Sequence, residues 1–307
     1  SSLHSALIAI GIKEGDEVLV PSLTYIASVN SISYTGATPI FVDSNMETWQ
    51  MDPEDLESKI TEKTKAIMLV HLYGHPCDMD KVLKIASKYS LYVIEDSAEA
   101  IGSKFNDKYV GTLGDIGTFS FFGNKTITTG EGGMVVSNND IIIKSIKKLK
   151  GQGLADKREY WHDIIGYNYR MTNICAAIGL AQLDRIESFL SRKYEIAQLY
   201  KRLLSETPIE IHKEVGNVYH SYWMVSILVN SSKIRKELRE YLTKNGVETR
   251  PVFYPIHTMP IYSKYRNENP IAENIGSRGI NLPSFPDLND DEIKFICNKI
   301  KEYFSDN

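Results

Sequence analysis

Short apolar runs alternate with polar, helix-forming segments along the first half of the chain. The runs lie at 16–20, 38–42, 65–71 and 92–94. Each is long enough for one buried strand and too short for a helix. Strands that alternate with helices are typical of a largely parallel sheet with helices on both faces. The pattern therefore predicts an α/β fold.

Capping residues mark the starts of the helices between these runs. Asp52 is followed by Pro53 and two acidic residues, the usual composition of a first helical turn. Asp78 precedes a helix that we expect to end near Tyr89. Residues 139–149 are predicted to form an amphipathic helix with a lysine-rich solvated face.

The second half of the chain indicates a smaller α+β domain. Residues 171–204 have helical periodicity, and small side chains near their start allow close packing, so we predict one long helix linking two domains. The other predicted elements are strands at 209–211 and 222–228, helices at 233–245 and 290–304, and irregular segments at 250–260 and 278–284. We expect a large domain at 1–185, followed by the linking helix and small domain at 186–307.

Composition excludes several classes of protein. Of the 307 residues, 42% are hydrophobic and 24% are charged, the balance of an ordinary globular protein. The net charge of −4 favours neither nucleic acid nor a membrane surface as partner, and we find no bilayer-spanning run or signal peptide. Cys77, Cys175 and Cys297 lack paired spacing, which favours a reducing, cytoplasmic compartment.

A lysine follows an aromatic run at 117–126, Gly-Thr-Phe-Ser-Phe-Phe-Gly-Asn-Lys-Thr. An ammonium beside aromatic side chains loses hydration, which favours the neutral amine and makes Lys125 a nucleophile toward carbonyls. The alternative, a solvated lysine on a hairpin, would be preferred if this lysine stood alone.

Two carboxylates, Glu95 and Asp96, stand where a predicted strand ends. Ligands bind at the carboxyl ends of strands in open α/β sheets. A carboxylate there could keep a pyridinium nitrogen protonated, as a pyridoxal phosphate (PLP) enzyme requires. Either residue alone could instead cap a helix. The lysine and the carboxylates together favour a PLP site.

Two other kinds of site are rejected. Gly111, Gly114 and Gly117 do not have the spacing of a dinucleotide-binding loop, and no clean strand-to-helix turn surrounds them. His71 and His75 are four residues apart, but a glycine and a proline break any helix that would align them as metal ligands. We therefore expect no metal site.

Residues 95–139, EDSAEAIGSKFNDKYVGTLGDIGTFSFFGNKTITTGEGGMVVSNN, resemble the cofactor region of the DegT/DnrJ/EryC1/StrS sugar-nucleotide aminotransferases. These are PLP enzymes of fold type I, with an aspartate aminotransferase-like large domain. The resemblance extends from Leu3 to near the C-terminus. The segments KGQGL, YWHDIIGYNYRMTNICAAIGLAQL, ETRPVFYPIHTMPIY and RGINLPSFP resemble the family branch that makes GDP-perosamine.

The resemblance implies the cofactor residues. Lys125 would hold PLP as a Schiff base and act as general acid/base, and Asp96 would pair with the ring nitrogen. Ser120 would bind the phosphate, while Tyr25 and Glu99 would flank the ring. The family more often has Gln or His where this chain has Glu99, which leaves the contact made there open.

Two further cofactor contacts follow from the same resemblance. Asn168 would reach the phosphate of the partner subunit in a homodimer. Ser2 would remain from a phosphate-binding helix start, because the family's preceding Gly-Thr pair and N-terminal segment are absent. We therefore expect this sequence to be a fragment.

The implied substrates are L-glutamate and GDP-4-keto-6-deoxy-D-mannose, with amino transfer to C4 for surface polysaccharide (O-antigen) synthesis. His162, Arg250, Tyr254 and His257 are the candidate substrate-binding residues, and the planar guanidinium of Arg250 suits a phosphate or carboxylate. A dTDP- or UDP-sugar remains an alternative. A PLP-dependent sugar 3-dehydratase, which carries His at the lysine position, and a PLP-binding regulator are less favoured.

Overall fold

The structure, a computed structural model, describes residues 1–306. The α-helices are α1 (Ser2–Ala9), α2 (Ile26–Ser33), α3 (Pro53–Ser58), α4 (Met79–Tyr89), α5 (Asp140–Lys150), α6 (Asn173–Leu183), α7 (Ile186–Leu203), α8 (Ser232–Lys244), α9 (Pro270–Arg278) and α10 (Asp290–Ser305). Short 3₁₀ segments lie at Leu72–Gly74, Ile256–Thr258 and Pro260–Tyr265. Within these residues, no helix has the length and apolar character needed to span a membrane.

In the described part of the chain, thirteen strands form three sheets. They are β1 (Glu17–Pro21), β2 (Thr38–Val42), β3 (Thr64–Val70), β4 (Tyr92–Asp96), β5 (Lys104–Phe105), β6 (Lys108–Tyr109), β7 (Ile116–Ser120), β8 (Gly133–Val136), β9 (Glu210–Ile211), β10 (Val218–Tyr219), β11 (Val225–Leu228), β12 (Arg250–Pro251) and β13 (Gly279–Leu282).

The main sheet has the strand order β2-β1-β3-β4-β7-β8. Its pairings are parallel from β2 to β7, and β8 joins the edge antiparallel to β7. The four apolar runs of the first half form β1 to β4, as the alternation with helices predicted. Parallel strands put their carboxyl ends at one edge, and β4 and β7 are neighbours there.

Helices cover both faces of this sheet. One core cluster contains apolar side chains of α1, α2 and α5, and another contains those of α3 and α4. The predicted caps are in place, since Asp52 accepts from the backbone N–H groups of Glu54 and Asp55, and Asp78 accepts from that of Lys81. The α/β prediction is confirmed.

The second half forms a four-stranded antiparallel sheet, β12-β13-β11-β9, that packs on α7, α8 and α10. The prediction of an irregular segment at 278–284 was wrong, because β13 is an inner strand of this sheet. Its glycine and proline suggested a loop. Gly279 is instead needed for close packing, since a Cβ atom there would lie 2.4 Å from Val252 Cγ2.

The prediction of one helix over 171–204 was also wrong. The chain turns between Leu183 and Ile186, so that α6 and α7 are separate helices. Helix α7 buries an apolar stripe in the core of the small sheet, whereas α6 has no buried residue. The two helices face different surroundings, which apolar periodicity alone does not distinguish.

The two halves of the chain meet at an apolar interface, which is called the joint below. One core cluster combines Tyr73 and Trp49 from the first half with Trp223, Val252 and Ile275 from the second. Strand β10 pairs with β5, which adds a short sheet across the same joint. The boundary at residue 185 remains a prediction.

Three histidines are buried in this joint. The rings of His75, His212 and His220 lie with their centroids 5.1–5.4 Å apart. Burial lowers the pKa of His75 to about 4 and that of His212 to about 3, and it lowers the pKa of His220 as well. The three imidazoles are therefore neutral at pH 7, and His212 Nε2 donates to the carbonyl of Thr48 at 2.7 Å.

Acid should destabilise the protein through this cluster. Below pH 6.5 the unfolded chain protonates histidines that the folded chain keeps neutral. The free energy of unfolding therefore has its full value above that pH. It falls as the pH drops toward 4, by up to about 1.4 kcal/mol per pH unit for each histidine. Urea unfolding between pH 7 and 5 measures the slope. His212→Gln should reduce it, and the exposed His162→Gln should not; equal slopes in all three proteins would contradict this explanation.

Candidate active site

The candidate site lies at the carboxyl-terminal edge of β4 and β7. Asp96 is the last residue of β4 and pairs in register with Thr118 of β7. Ser120 ends β7, and the turn that follows carries Lys125. Because β8 runs back antiparallel to β7, both ends of the segment between these strands lie at this edge of the sheet.

Glu95 and Asp96 have different surroundings because successive strand residues point to opposite faces. Glu95 accepts from the backbone N–H groups of Gly111 and Gly114 at 2.6 Å and contacts His71 Nε2 at 3.0 Å. Burial works to raise its pKa, but these hydrogen bonds and His71 outweigh burial, so the pKa lies below its usual value. Glu95 thus organises a backbone loop.

Asp96 faces the site instead. Ser28 Oγ donates to it at 2.7 Å and the backbone N–H of Ala98 at 3.1 Å. Burial raises its pKa, and the opposing effects of Ser28, Ala98 and Lys125 do not cancel that rise. A buried carboxyl without a close cation favours the approach of a positively charged ligand group.

Lys125 lies between a carboxylate and an aromatic ring. Its Nζ atom is 3.7 Å from Glu99 Oε1 and 3.9 Å from the centroid of the Trp223 ring. Glu99 also accepts from the backbone N–H of Tyr73 at 2.9 Å. Burial raises the pKa of Glu99 to about 7 against the opposing attraction of Lys125. The Glu99 carboxyl can therefore exchange a proton near neutral pH, and it does so 3.7 Å from Lys125 Nζ.

Two serines lie beside a glycine that leaves room for them. Gly133 pairs with Ser120 across β7 and β8. A Cβ atom on Gly133 would lie 2.3 Å from Ser2 Oγ at the start of α1. Ser2 and Ser120 are thus brought to one place, and their hydroxyls could both donate to an anionic group.

Tyr25 is the N-cap residue of α2, and 57% of its surface is exposed. Its ring lies 5.6 Å from that of Phe253, at an interplanar angle of 46°. An exposed ring that contacts a second aromatic residue offers a face for stacking on a planar ligand.

A cleft of about 1320 Å³ opens beside Lys125. Trp223 and Arg250 are among its lining residues. Arg250 is mostly exposed, and its one ion pair, with Glu248 at 3.5 Å, is also exposed. Its guanidinium is therefore available to a ligand.

The other three substrate-binding candidates are not among the residues that line this cleft. Tyr254 is half exposed, and Arg235 lies 5.6 Å from its ring centroid. His162 is exposed on the 151–170 loop, where its Nδ1 contacts the carbonyl of Gln152 at 2.9 Å. His257 is fully buried between Ser22 and Glu273, so it does not reach the cleft in this chain.

Asn168 lies at the far end of the same loop and is exposed. Its backbone forms a bridge with Gly151, which leaves the side chain outside the chain's own core. Within residues 1–306, no group of three or more His, Cys, Asp or Glu side chains is arranged to hold a metal ion.

Sequence reasoning missed Ser28, Tyr73 and Trp223. Ser28 resembles any small residue in a helix start, and Trp223 lies within the predicted strand at 222–228 with no motif around it. Tyr73 has a positive φ of 57°, a conformation that is uncommon for an aromatic residue and often marks a functional site. These contacts depend on tertiary structure, because each joins segments far apart in the sequence.

Comparison with known proteins agrees with this geometry. The model of the DegT/DnrJ/EryC1/StrS aminotransferase family matches residues 1–301. The chain belongs to this family. It is 63% identical to a GDP-perosamine synthase of Escherichia coli O157:H7, over 99% of this chain and 84% of the relative, and 50% identical to one of Vibrio cholerae, over 99% and 84%.

A solved structure shows the same architecture. The PLP form of the putative sugar aminotransferase Spr1654 from Streptococcus pneumoniae superposes with a TM-score of 0.95 at 30% identity. The match covers 99% of this chain and 85% of the other. The expected fold type, the aminotransferase class and the PLP cofactor are thereby confirmed.

The Glu99 carboxyl should titrate near pH 7 in cofactor-free protein. Infrared difference spectra between pH 5 and 9 would show its protonated C=O band disappearing across that midpoint, because burial disfavours the carboxylate. Glu99→Gln should remove the band change, whereas Glu131→Gln, at an exposed position, should keep it. A wild-type protein with no carboxyl transition above pH 6 would contradict this assignment.

Proposed function

We propose that this chain transfers the amino group of L-glutamate to C4 of GDP-4-keto-6-deoxy-D-mannose, giving GDP-perosamine for a surface polysaccharide. The observation that carries the reaction class is the placement of Lys125 beside buried Glu99 and Asp96 at the carboxyl edge of the sheet. The choice of sugar nucleotide is supported by the 63% identity to a GDP-perosamine synthase over 99% of the chain.

The residues present fit pyridoxal phosphate. Asp96 is 4% exposed, and its nearest donors are a hydroxyl and a backbone N–H, so a protonated pyridine nitrogen would supply the missing cation. Ser2 and Ser120, beside Gly133, would hold the phosphate. Tyr25 would stack on the ring.

When bound, pyridoxal phosphate supplies an electron sink for a carbanion next to nitrogen. Lys125 would supply the amine that holds the cofactor aldehyde, and its Nζ atom would serve as the general acid/base that moves a proton at the site. Glu99 accepts or returns a proton at Oε1, 3.7 Å from Nζ, which keeps Lys125 in the state each step needs. Asp96 would pair with the ring nitrogen and favour its protonated form.

Arg250 is the substrate residue that the geometry supports best. It lines the cleft that opens beside Lys125, and its guanidinium is largely free of the rest of the chain. A planar guanidinium binds a carboxylate or phosphate through two parallel hydrogen bonds. Arg250 would bind the carboxylate of glutamate or a phosphate of the sugar nucleotide, and Tyr254 and His162 would line the entrance.

Two features support a homodimer with a shared site. Helix α6 has no buried residue, yet it exposes large apolar side chains, and the preceding loop continues this surface. They are Trp161, Ile164, Ile165, Met171, Ile174, Ile178, Leu180 and Leu183. A contiguous apolar surface of this kind is typical of an interface between subunits. Asn168 lies on the same loop, so it could reach a partner's site.

The proposed enzyme would act in the cytoplasm. Cys77, Cys175 and Cys297 are free thiols, and two of them are buried. Thiols that stay unpaired are the usual state of cysteine in a reducing compartment.

A single-turnover experiment tests the substrate. Protein loaded with pyridoxamine phosphate is mixed separately with the 4-keto-6-deoxy sugars of GDP, dTDP and UDP, and the absorbance of the PLP form is followed. We expect its return with the GDP-sugar alone. Return only with another nucleotide would keep the reaction class and overturn the substrate, and no return with any sugar would contradict amino transfer.

Mixing two inactive variants tests the shared site. Lys125→Ala should abolish turnover, and Asn168→Ala should weaken cofactor binding and activity. If Asn168 acts across the interface, mixed dimers contain one intact site, so remixing equal amounts should restore about a quarter of wild-type activity. The same mixture of Lys125→Ala with Lys125→Met is the control and should stay inactive. Failure of the first mixture to recover, with subunit exchange verified, would contradict sharing.

A further inference from the structure

A tryptophan from the second half of the chain contacts the turn that follows β7 in the first half. This turn carries Lys125 and is called the catalytic turn below. Trp223 lies just before β11, is 5% exposed and belongs to the core cluster of the joint. Its Nε1–H donates to the carbonyl of Asn124 at 2.9 Å, and the Lys125 Nζ atom lies 3.9 Å from the centroid of its ring. One side chain thus contacts two consecutive residues of the turn.

The tip of the turn is exposed. Phe122, Gly123 and Asn124 are all exposed. The backbone N–H of Lys125 donates to the carbonyl of Phe122 at 3.0 Å, a bond within the turn itself. The hydrogen bond from Trp223 therefore fixes the backbone just before Lys125, and its ring fixes the far end of the lysine side chain. The position of Nζ depends on both.

Trp223 is itself supported from both halves of the chain. Its ring is near-parallel to that of Tyr73, with centroids 6.2 Å apart. Tyr73 donates its backbone N–H to Glu99, and its hydroxyl accepts from the backbone N–H of Phe253. The carboxylate partner and the aromatic partner of Lys125 are thus linked through one residue.

We propose that Trp223 is a positioning residue for Lys125, which holds the amine where it meets the cofactor aldehyde and stabilises the nitrogen when it is positively charged. The inference rests on the function proposed above. A cation over an aromatic face is stabilised by the ring's electron density, most strongly when both are shielded from water. Such shielding applies here, because the lysine side chain is 13% exposed.

The test compares Trp223→Leu and Trp223→Phe with Trp49→Phe. Trp49 is 4% exposed in the same core cluster, but its ring stacks on that of His212, whereas the ring that faces Lys125 is that of Trp223. Cofactor-free proteins are mixed with PLP, the rate of Schiff-base formation is followed by absorbance, and the product is reduced with borohydride and mapped. The pH midpoint of the absorbance change of the loaded protein is measured as well.

We expect Trp223→Leu to slow Schiff-base formation about tenfold and to lower the pH midpoint by about half to one unit, because both contacts are lost. Trp223→Phe keeps a ring face but loses the N–H donor, so it should slow the reaction about threefold with a smaller shift of the midpoint. Trp49→Phe should match the wild type.

Three results would overturn the inference. If Trp223→Phe and Trp223→Leu both keep the wild-type rate and pH midpoint, the contacts do not position the lysine. If Trp223→Leu does not fold, the same result in Trp223→Phe alone would show this. An equal effect of Trp49→Phe would assign the loss to the core of the joint. Absence of borohydride trapping on Lys125 in the wild type would overturn the proposed function and the inference with it, whereas the first two results leave that function intact.

Discussion

The cost of burying charge governs the arrangement of this site. Glu95, Asp96 and Glu99 lie within five residues of one another, and none is more than 4% exposed. A buried carboxylate without a partner costs several kcal/mol, so each must be paired or protonated. Glu95 is paired within the chain by backbone N–H groups and His71. Glu99 lies 3.7 Å from Lys125 Nζ, and burial raises the pKa of its carboxyl to about 7. Asp96 has polar donors but, within residues 1–306, no cation at salt-bridge distance, and it is the carboxyl that a cationic ligand would complete.

The same constraint explains why the site needs both halves of the chain. Lys125 and the carboxylates belong to the large sheet, but the aromatic residues that exclude water from them cross the joint. Tyr73 contacts Trp223 and Phe253, and Trp223 contacts the lysine. Three neutral histidines fill another part of this joint. The joint is therefore both an apolar core that stabilises the fold and the wall of a reactive site, so changes in one should be felt in the other.

Local signals in the sequence were enough to predict the strands and helices of the first half of the chain. The alternation of strands and helices predicted β1 to β4, because buried parallel strands are continuous apolar runs that are easy to find in a sequence. Asp52 and Asp78 cap helices through contacts within one turn. The motif around Lys125 was similarly informative, since residues 95–139 contain both the lysine and its carboxylates. These predictions rely on interactions between residues that are close in sequence.

The errors come from interactions between distant segments. Strand β13 was missed because Gly279 is required by the close approach of Val252, which directly follows β12, and not by a turn. Motifs likewise did not indicate the burial of His257 between Ser22 and Glu273, and its role in substrate binding stays a prediction. Trp223 gave no signal because both its contacts lie about a hundred residues away in sequence. Periodicity and motifs do not register such pairings.

Helix α6 shows how a second subunit would act on the catalytic turn. Its apolar residues are exposed, but one face of the helix lies on the segment that follows Lys125. A Cβ atom on Gly179 would be 2.8 Å from Thr129 Cγ2, and the backbone N–H of Thr128 donates to Gln182 Oε1 at 3.4 Å. Under the proposed dimer, a partner covering the other face of α6 would press on Thr128 and Thr129, only a few residues from the lysine. The turn would then be held from two directions, by Trp223 of the same chain and by the partner through α6. Support from both sides would let an exposed loop present a lysine with the accuracy that covalent chemistry requires.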